Sequence, residues 1–229
     1  MTTLEISRAL RAMADPEIAE HSKGFFKTGP GEYGEGDQFL GIRVPVLRKQ
    51  VAKFAATELK QVEKLLNSVY HEERLFALLL LARQFSRGKE DEQARIYRFY
   101  LAHTQFINNW DLVDTSAYHI VGAYLENRDR KILYELAGSE DLWERRIAII
   151  ATFHFIRQND FKDTLRLAKQ LINDPEDLMH KAVGWMLREV GNRDAATEKD
   201  FLKRHYRKCP APCCATLSRS SPRQSGKPI

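Results

Sequence analysis

The feature that most constrains this chain is a helical spacing of apolar residues, which recurs along almost all of its 229 residues. No segment alternates apolar and polar residues in the way that predicts a strand. Most connections between the predicted helices are about two to five residues long, which favours antiparallel helix pairs. The predicted helices span residues 3–14, 16–26, 45–56, 58–69, 71–86, 90–102, 109–125, 128–137, 141–157, 160–172, 176–190 and 194–207.

A weak internal repeat gives these helices a common period. Segment 73–78 (ERLFAL) resembles segment 144–149 (ERRIAI), and the two start 71 residues apart, about two periods of roughly 35 residues. Lys181 lies one further period beyond Arg146. Helix pairs stacked with this period form HEAT-like solenoids, whose inner helices line a concave surface. We therefore predict an all-α HEAT-like helical repeat solenoid over residues 1–208, with a concave face shaped to hold a DNA duplex.

Charge and composition narrow the class of partner. The net charge of +5 and the pI of about 9.1 favour an anionic partner such as nucleic acid, although many basic proteins bind none. No apolar run approaches the ~20 residues of a membrane span, and the first residues do not resemble a signal peptide. All three cysteines lie after residue 208, so we expect no disulfide framework in the body. Together these features predict a cytoplasmic protein without a membrane partner.

Residues 108–114 (NNWDLVD) combine a tryptophan and two carboxylates within five positions. Asn109 is a suitable N-cap for a helix that begins at Trp110. Because Trp110 and Asp114 stand four residues apart, they share one face of that helix. The pattern also fits a simpler interpretation, in which the tryptophan belongs to the core and an aspartate interacts with the helix dipole.

Four segments in order resemble the DNA alkylation repair family, the AlkD-like DNA glycosylases. They are residues 41–48 (GIRVPVLR), 108–114 (NNWDLVD), 142–148 (LWERRIA) and 181–189 (KAVGWMLRE). Each is weak alone, but all four occur in order in a helical chain of this length, and the resemblance extends from about residue 5 to 208. It implies a monomeric glycosylase of base excision repair that removes cationic N3- and N7-alkylpurines from double-stranded DNA without a cofactor.

The resemblance also implies roles for individual residues. Asp114 matches the catalytic carboxylate, Trp110 and Trp185 match the paired aromatic residues, and Arg146 matches an arginine at the DNA backbone. The chemistry suits these residue types, because an alkylated purine that is already cationic leaves without a strong general acid. A carboxylate can then stabilise the positive charge that develops on the deoxyribose.

Other cations are weaker candidates for contact with phosphates, and any one of them could simply be solvated. They are Arg43, Arg48, Arg145, Lys181 and Arg188. We treat Trp143 as a packing residue and the Gly-rich segment 27–44 as a connector, since it lacks the spacing of a phosphate-binding loop. His119, His154 and His180 show no metal-ligand spacing with cysteine. His205, Cys209 and Cys213 are spaced like part of a ligand set, but no second ligand pair exists, so we expect no metal.

Several alternatives remain open from sequence alone. Asp114 could form a structural ion pair with an arginine such as Arg146, and both tryptophans could be core residues. The chain could then be a non-catalytic HEAT-like solenoid that binds DNA, RNA or protein.

The last segment, residues 209–229, differs from the rest in having no helical period and many Pro and Ser residues. This composition predicts a disordered tail. A second hypothesis is a frameshift, because reading one base earlier permits codons for an amphipathic helix. The gene sequence tests this idea, and the absence of such an open frame would remove it.

Overall fold

The computed structural model describes residues 1–205, which form helices and no strand, with one isolated bridge between Gln38 and Tyr70. The predicted tail at 209–229 lies outside the described residues. The helices are α1 (Thr3–Arg11), α2 (Pro16–Phe25), α3 (Val44–Val51), α4 (Leu59–Leu66), α5 (His71–Arg87), α6 (Glu90–Ala102), α7 (Trp110–Asp114), α8 (Lys131–Leu136), α9 (Leu142–Ala151), α10 (Phe153–Ile156), α11 (Lys162–Leu171), α12 (Asp177–Gly191) and α13 (Ala195–His205). A 3-10 turn at Thr104–Phe106 and a π-helical segment at Tyr118–Gly122 complete the regular structure.

The helices from α3 onward pack as two rows. The front row consists of α3, α5, α7 with the π segment, α9 with α10, and α12, each in contact with the next. The back row consists of α4, α6, α8, α11 and α13, which pack against front-row neighbours. One hydrophobic core runs between the rows. This arrangement confirms the predicted all-α helical repeat fold.

The helix predicted at 109–125 is not continuous, and this expectation was wrong. The α-helix ends at Asp114 and the backbone resumes as the π segment at Tyr118. Between them, the hydroxyls of Thr115 and Ser116 donate to carbonyls one turn earlier, at 2.7 and 2.6 Å. Such bonds from side chain to backbone compete with the regular helical ladder and bend it.

The helix predicted at 141–157 also divides, at Thr152. The Thr152 hydroxyl donates to the Ile149 carbonyl at 2.7 Å, and α10 begins at the next residue. Most other predicted helices are present with ends that differ by a few residues, as expected where helix termini fray. The helix predicted at 45–56 shows one of the larger differences, since α3 already ends at Val51.

The connector between α2 and α3 is fixed to the front row. The buried carboxylate of Glu72 accepts from the backbone amides of Leu40, Gly41 and Ile42 at 2.8–3.2 Å. Gly41 has φ of +80°, and a Cβ there would lie 2.0 Å from the Asp15 carbonyl oxygen, so this turn requires glycine. The Gly-rich segment is therefore a connector, as predicted, and it is held at the start of α5.

In the part of the chain that the structure describes, no helix has the length and apolar character needed to cross a membrane.

Candidate functional site

The NNWDLVD stretch begins as the sequence predicts. The Asn109 side chain caps α7 by accepting from the Trp110 amide at 2.8 Å. Trp110 opens this short helix and Asp114 closes it. The two side chains are therefore one turn apart, and both are half-buried.

The Asp114 carboxylate is gripped by a guanidinium from the next front-row helix. Arg146 donates from Nε to Oδ1 at 2.9 Å and from Nη2 to Oδ2 at 2.8 Å. Its third nitrogen, Nη1, donates to the Leu178 carbonyl at 2.6 Å, which joins α7, α9 and α12. The Arg146 side chain is 6% exposed and that of Asp114 is 15% exposed, so solvent reaches the carboxylate more easily than the arginine.

Burial and the neighbouring charges change the pKa of Asp114. Burial raises the pKa of the carboxyl, and the negative charge of Asp111 acts in the same direction. The charge and hydrogen bonds of Arg146 lower the pKa, but burial prevails and the net direction is upward. The ionised form of Asp114 would therefore be unfavourable without Arg146.

Trp110 lies in an aromatic cluster that the sequence did not indicate. Its ring stacks on Phe26 at 5.5 Å with an interplanar angle of 20°, and it meets the exposed Phe25 edge-on at 5.9 Å. Tyr33, from the Gly-rich connector, lies near the Trp110 indole. Burial raises the pKa of Tyr33, and its interaction with the indole opposes the rise.

Trp185 reaches the same face from α12. Its indole donates to Glu189 at 3.0 Å, and its ring lies 5.9 Å from that of Phe153. The Phe153 ring is 5.2 Å from Tyr118, which follows Asp114 by one turn. An aromatic chain from Trp185 therefore ends beside Asp114, while Trp110 precedes it on α7. Trp143 is buried and meets Tyr33 edge-on, in keeping with the predicted packing role.

The predicted cations have different surroundings. Arg43, Arg48 and Lys181 are exposed, and Arg188 is half-buried. Arg145 instead bonds both oxygens of Asp174, at 2.7 and 3.2 Å, and donates to two carbonyls before α9. Arg145 thus pairs with the connector between α11 and α12, and Arg146 forms an ion pair between helices, which is the alternative that the sequence left open for Arg146.

A positive cluster around His119 was also missed. The His119 imidazole lies near Arg48, Arg157 and His154. Desolvation and these positive charges lower the pKa of His119 to about 4. The cluster joins α3 to the end of α10, so only the fold could reveal it.

A second missed group lies behind Trp110. His71, at the start of α5, contacts Asp111 at 2.8 Å and Asp37 at 3.3 Å. Arg74 donates to the other oxygen of Asp37 at 2.7 Å. These residues lie up to 74 positions apart along the chain, and no local sequence signal connects them. Among residues 1–205, no group of three or more His, Cys, Asp or Glu side chains could hold a metal ion.

The fold and the site define an all-α helical repeat protein with a carboxylate set between aromatic side chains. A family model for DNA alkylation repair enzymes matches residues 6–215, and the chain belongs to that family. Membership supports an enzymatic role in DNA alkylation repair.

Solved structures agree in fold. A protein described as a predicted DNA alkylation repair enzyme from Enterococcus faecalis superposes with a TM-score of 0.69 at 16% identity, covering 90% of this chain and 96% of its own. The protein smu.31 from Streptococcus mutans UA159 gives a TM-score of 0.50 at 18% identity, covering 95% and 98%. The search against curated protein sequences found no match.

Proposed function

We propose that this protein is a DNA glycosylase that hydrolyses the N-glycosidic bond of cationic N3- and N7-alkylpurines in duplex DNA. The observation that carries the proposal is Asp114, an oriented and partly accessible carboxylate with Trp110 one turn before it. This is the group that a reaction with a cationic leaving base and a cationic sugar requires.

In the proposed reaction the alkylated base departs with the electrons of the glycosidic bond and becomes neutral. Positive charge then develops on the deoxyribose, where the Asp114 carboxylate stabilises it. Water adds to the anomeric carbon and loses a proton, and Asp114 orients that water. No strong general acid is needed, because the base is already positively charged.

The tryptophans would act through their faces. An aromatic face attracts a nearby cation by ~0.5–2 kcal/mol. Trp110 and Trp185 would supply this attraction to the sugar, and an open arrangement would let bulky adducts be accepted. Trp185 approaches through Phe153 and Tyr118.

Arg146 takes a more specific part in this proposal than a phosphate contact. Its guanidinium already makes three bonds within the protein, two of them to Asp114. We propose that it orients the carboxylate and keeps it ionised. Phosphate contacts fall to other cations, and the exposed Arg43, Arg48 and Lys181, together with Arg188, remain the predicted set.

The decisive experiment measures release of 7-methylguanine from methylated duplex DNA by wild type and by Asp114→Asn. We expect the variant to lose roughly 10²–10³-fold in kcat, the cost of removing one electrostatic stabiliser of a transition state. Asp177→Asn is the matched control, since it removes a carboxylate that is 72% exposed on the front-row helix α12. Reactions without protein correct for spontaneous loss of the base.

The runner-up function is a solenoid that binds DNA or protein without catalysis. The Asp114–Arg146 pair gives it one supporting observation, because buried ion pairs also serve structure alone. Equal binding of methylated and unmethylated duplex, with no release of base, would favour this function over the glycosylase.

A further inference from the structure

The surroundings of His71 determine its protonation. Nε2 lies 2.8 Å from an oxygen of Asp111, and Nδ1 lies 3.3 Å from an oxygen of Asp37. A neutral imidazole has one donor and one acceptor nitrogen, so one of these contacts would set a lone pair against a carboxylate. Both contacts are favourable only when both nitrogens carry protons, which makes the ring an imidazolium.

Charge balance leads to the same conclusion. Asp37, Asp111, His71 and Arg74 are all at least nine-tenths buried as side chains. Two carboxylates and one guanidinium leave one negative charge, which the imidazolium neutralises. Within residues 1–205, the second oxygen of Asp111 has no hydrogen-bond partner, so His71 is the main support for that charge.

The same ring is part of an aromatic stack that ends at Trp110. His71 lies 5.0 Å from Phe39 and 4.7 Å from Phe26 between ring centroids. Phe26 in turn stacks on Trp110. Trp110 is therefore tied to His71 twice, through the Phe26 ring and through the adjacent residue Asp111.

We propose that His71 is a positioning residue, whose imidazolium clamps Asp111 and the Phe26 ring and so fixes the Trp110 face beside Asp114. The inference rests on the proposed glycosylase function. His71 touches neither Asp114 nor the expected path of the DNA, and it acts only by holding Trp110. If the His71 ring lost one of its two protons, the buried charge of Asp111 would have no cationic partner, and Trp110 would be held less firmly.

This clamp has a distinctive dependence on pH. Burial alone would lower the pKa of His71, but Asp111 and Asp37 outweigh burial and raise it to about 9, while Arg74 opposes them. Among residues 1–205, these three are the charged groups that act on the ring, from α7, the connector and α5, and the uncharged rings of Phe26 and Phe39 pack against it. The clamp is thus intact at neutral pH and opens in alkali.

The first test follows base release from about pH 6 to pH 10. For wild type we expect kcat to fall as the pH rises through about 9. For His71→Gln we expect kcat to be roughly 10–100-fold lower at neutral pH, the cost of a misplaced group, and to lack that alkaline fall. KM for DNA should change little, because no proposed phosphate contact is altered. His103→Gln, which removes a half-buried histidine just after α6 that pairs with Glu63 on α4, should behave as wild type.

A gentler variant covers the case in which His71→Gln does not fold. Asp37→Asn removes one of the carboxylates that raise the pKa of His71, so the alkaline fall should move to lower pH. An alkaline limb that is unchanged in both variants would overturn the inference.

A readout without catalysis separates this inference from the glycosylase proposal. The fluorescence of Trp110 is obtained, in the absence of DNA, as the tryptophan emission of wild type minus that of Trp110→Phe. We expect this signal to change with pH near pH 9, and at lower pH in Asp37→Asn. Absence of base release together with this titration would refute the glycosylase and keep the clamp. Base release without the titration would refute the clamp alone.

Discussion

Two aspartates three residues apart on α7 have different partners, and this difference governs the site. Asp114 accepts two hydrogen bonds from a guanidinium and keeps some exposure to solvent. Asp111 faces inward to an imidazole. The two carboxylates differ because their partners come from different elements, a guanidinium on α9 for Asp114 and an imidazole on α5 for Asp111.

Replacing Arg146 should change the ionisation of Asp114. Arg146→Gln removes the charge and hydrogen bonds that lower the pKa of Asp114, so the acid limb of the pH–rate profile should move to higher pH. It should also cost about 3–5 kcal/mol of stability, because it leaves a buried carboxylate without its partner.

Kinetics across the acid range and urea unfolding measure these two effects. Arg145→Gln is the control, since it breaks the neighbouring pair with Asp174 and leaves Asp114 untouched. It should lower stability without moving the acid limb. An acid limb that stays in place in Arg146→Gln would show that the arginine does not set the charge of Asp114.

His71 should make stability depend on pH in a defined direction. Its folded pKa of about 9 exceeds the ~6.5 of an unfolded histidine, so its contribution is full below about pH 6.5 and disappears as pH rises through 9. The loss should be on the order of 3 kcal/mol. Urea unfolding of wild type and His71→Gln across this range measures it, and parallel stability curves for the two proteins would contradict the prediction.

For individual residues, the sequence predicted the contacts within one helical turn and missed the contacts between segments that are far apart in the chain. Asn109 as a cap, and Trp110 and Asp114 on one face, follow from spacing within one helical turn. The partners of Asp111 come from α5 and from a connector far away in sequence. No periodicity encodes such a contact, because it arises only when the rows pack.

At the scale of elements, the front row depends on two interruptions. The break after Asp114 and the one at Thr152 let the π segment lie close against α9 and α10. A Cβ on Gly122 would be 2.2 Å from the Ala151 carbonyl oxygen and 2.8 Å from the His154 Cβ. The contact between these elements therefore needs glycine at this position.

Gly122→Ala should force the π segment away from α9 and α10, at a cost of about 1–3 kcal/mol. Gly24→Ala is the matched control, because nothing lies within 4 Å of the added methyl. That change should be neutral or should stabilise by up to about 1 kcal/mol through helix propensity. Thermal unfolding compares them, and equal melting temperatures would show that the front row relaxes to accept the methyl.

Helix number and order were largely predictable, since apolar periodicity records which face is buried. The interruptions were not, because Thr115, Ser116 and Thr152 do not break helices by propensity alone. Their hydroxyls donate to backbone carbonyls three or four residues earlier. The apolar pattern therefore predicts a continuous helix at 109–125 and at 141–157, and tertiary packing interrupts both helices.

At the scale of the whole molecule, cations from different helices lie together only because the rows stack. Arg48 on α3 and Arg157 after α10 are both exposed and both act on Tyr118 and His119. Tyr118 follows Asp114 by one turn, so this charge borders the proposed site. Exposed positive charge beside the carboxylate of the proposed site is suited to the phosphates that flank a lesion.

Removing these cations should weaken binding to duplex DNA of any sequence. For Arg48→Ala and Arg157→Ala we expect the slope of log K against log salt concentration to shrink by about 0.9 for each lost phosphate contact. Lys60→Ala, an exposed cation on the back-row helix α4, should leave the slope unchanged. Binding isotherms of unmodified duplex over a series of salt concentrations give the slopes. If Lys60→Ala reduced the slope as much as the arginine variants, DNA would not be confined to the front row, and the orientation that sets Asp114 against the lesion would have to be abandoned.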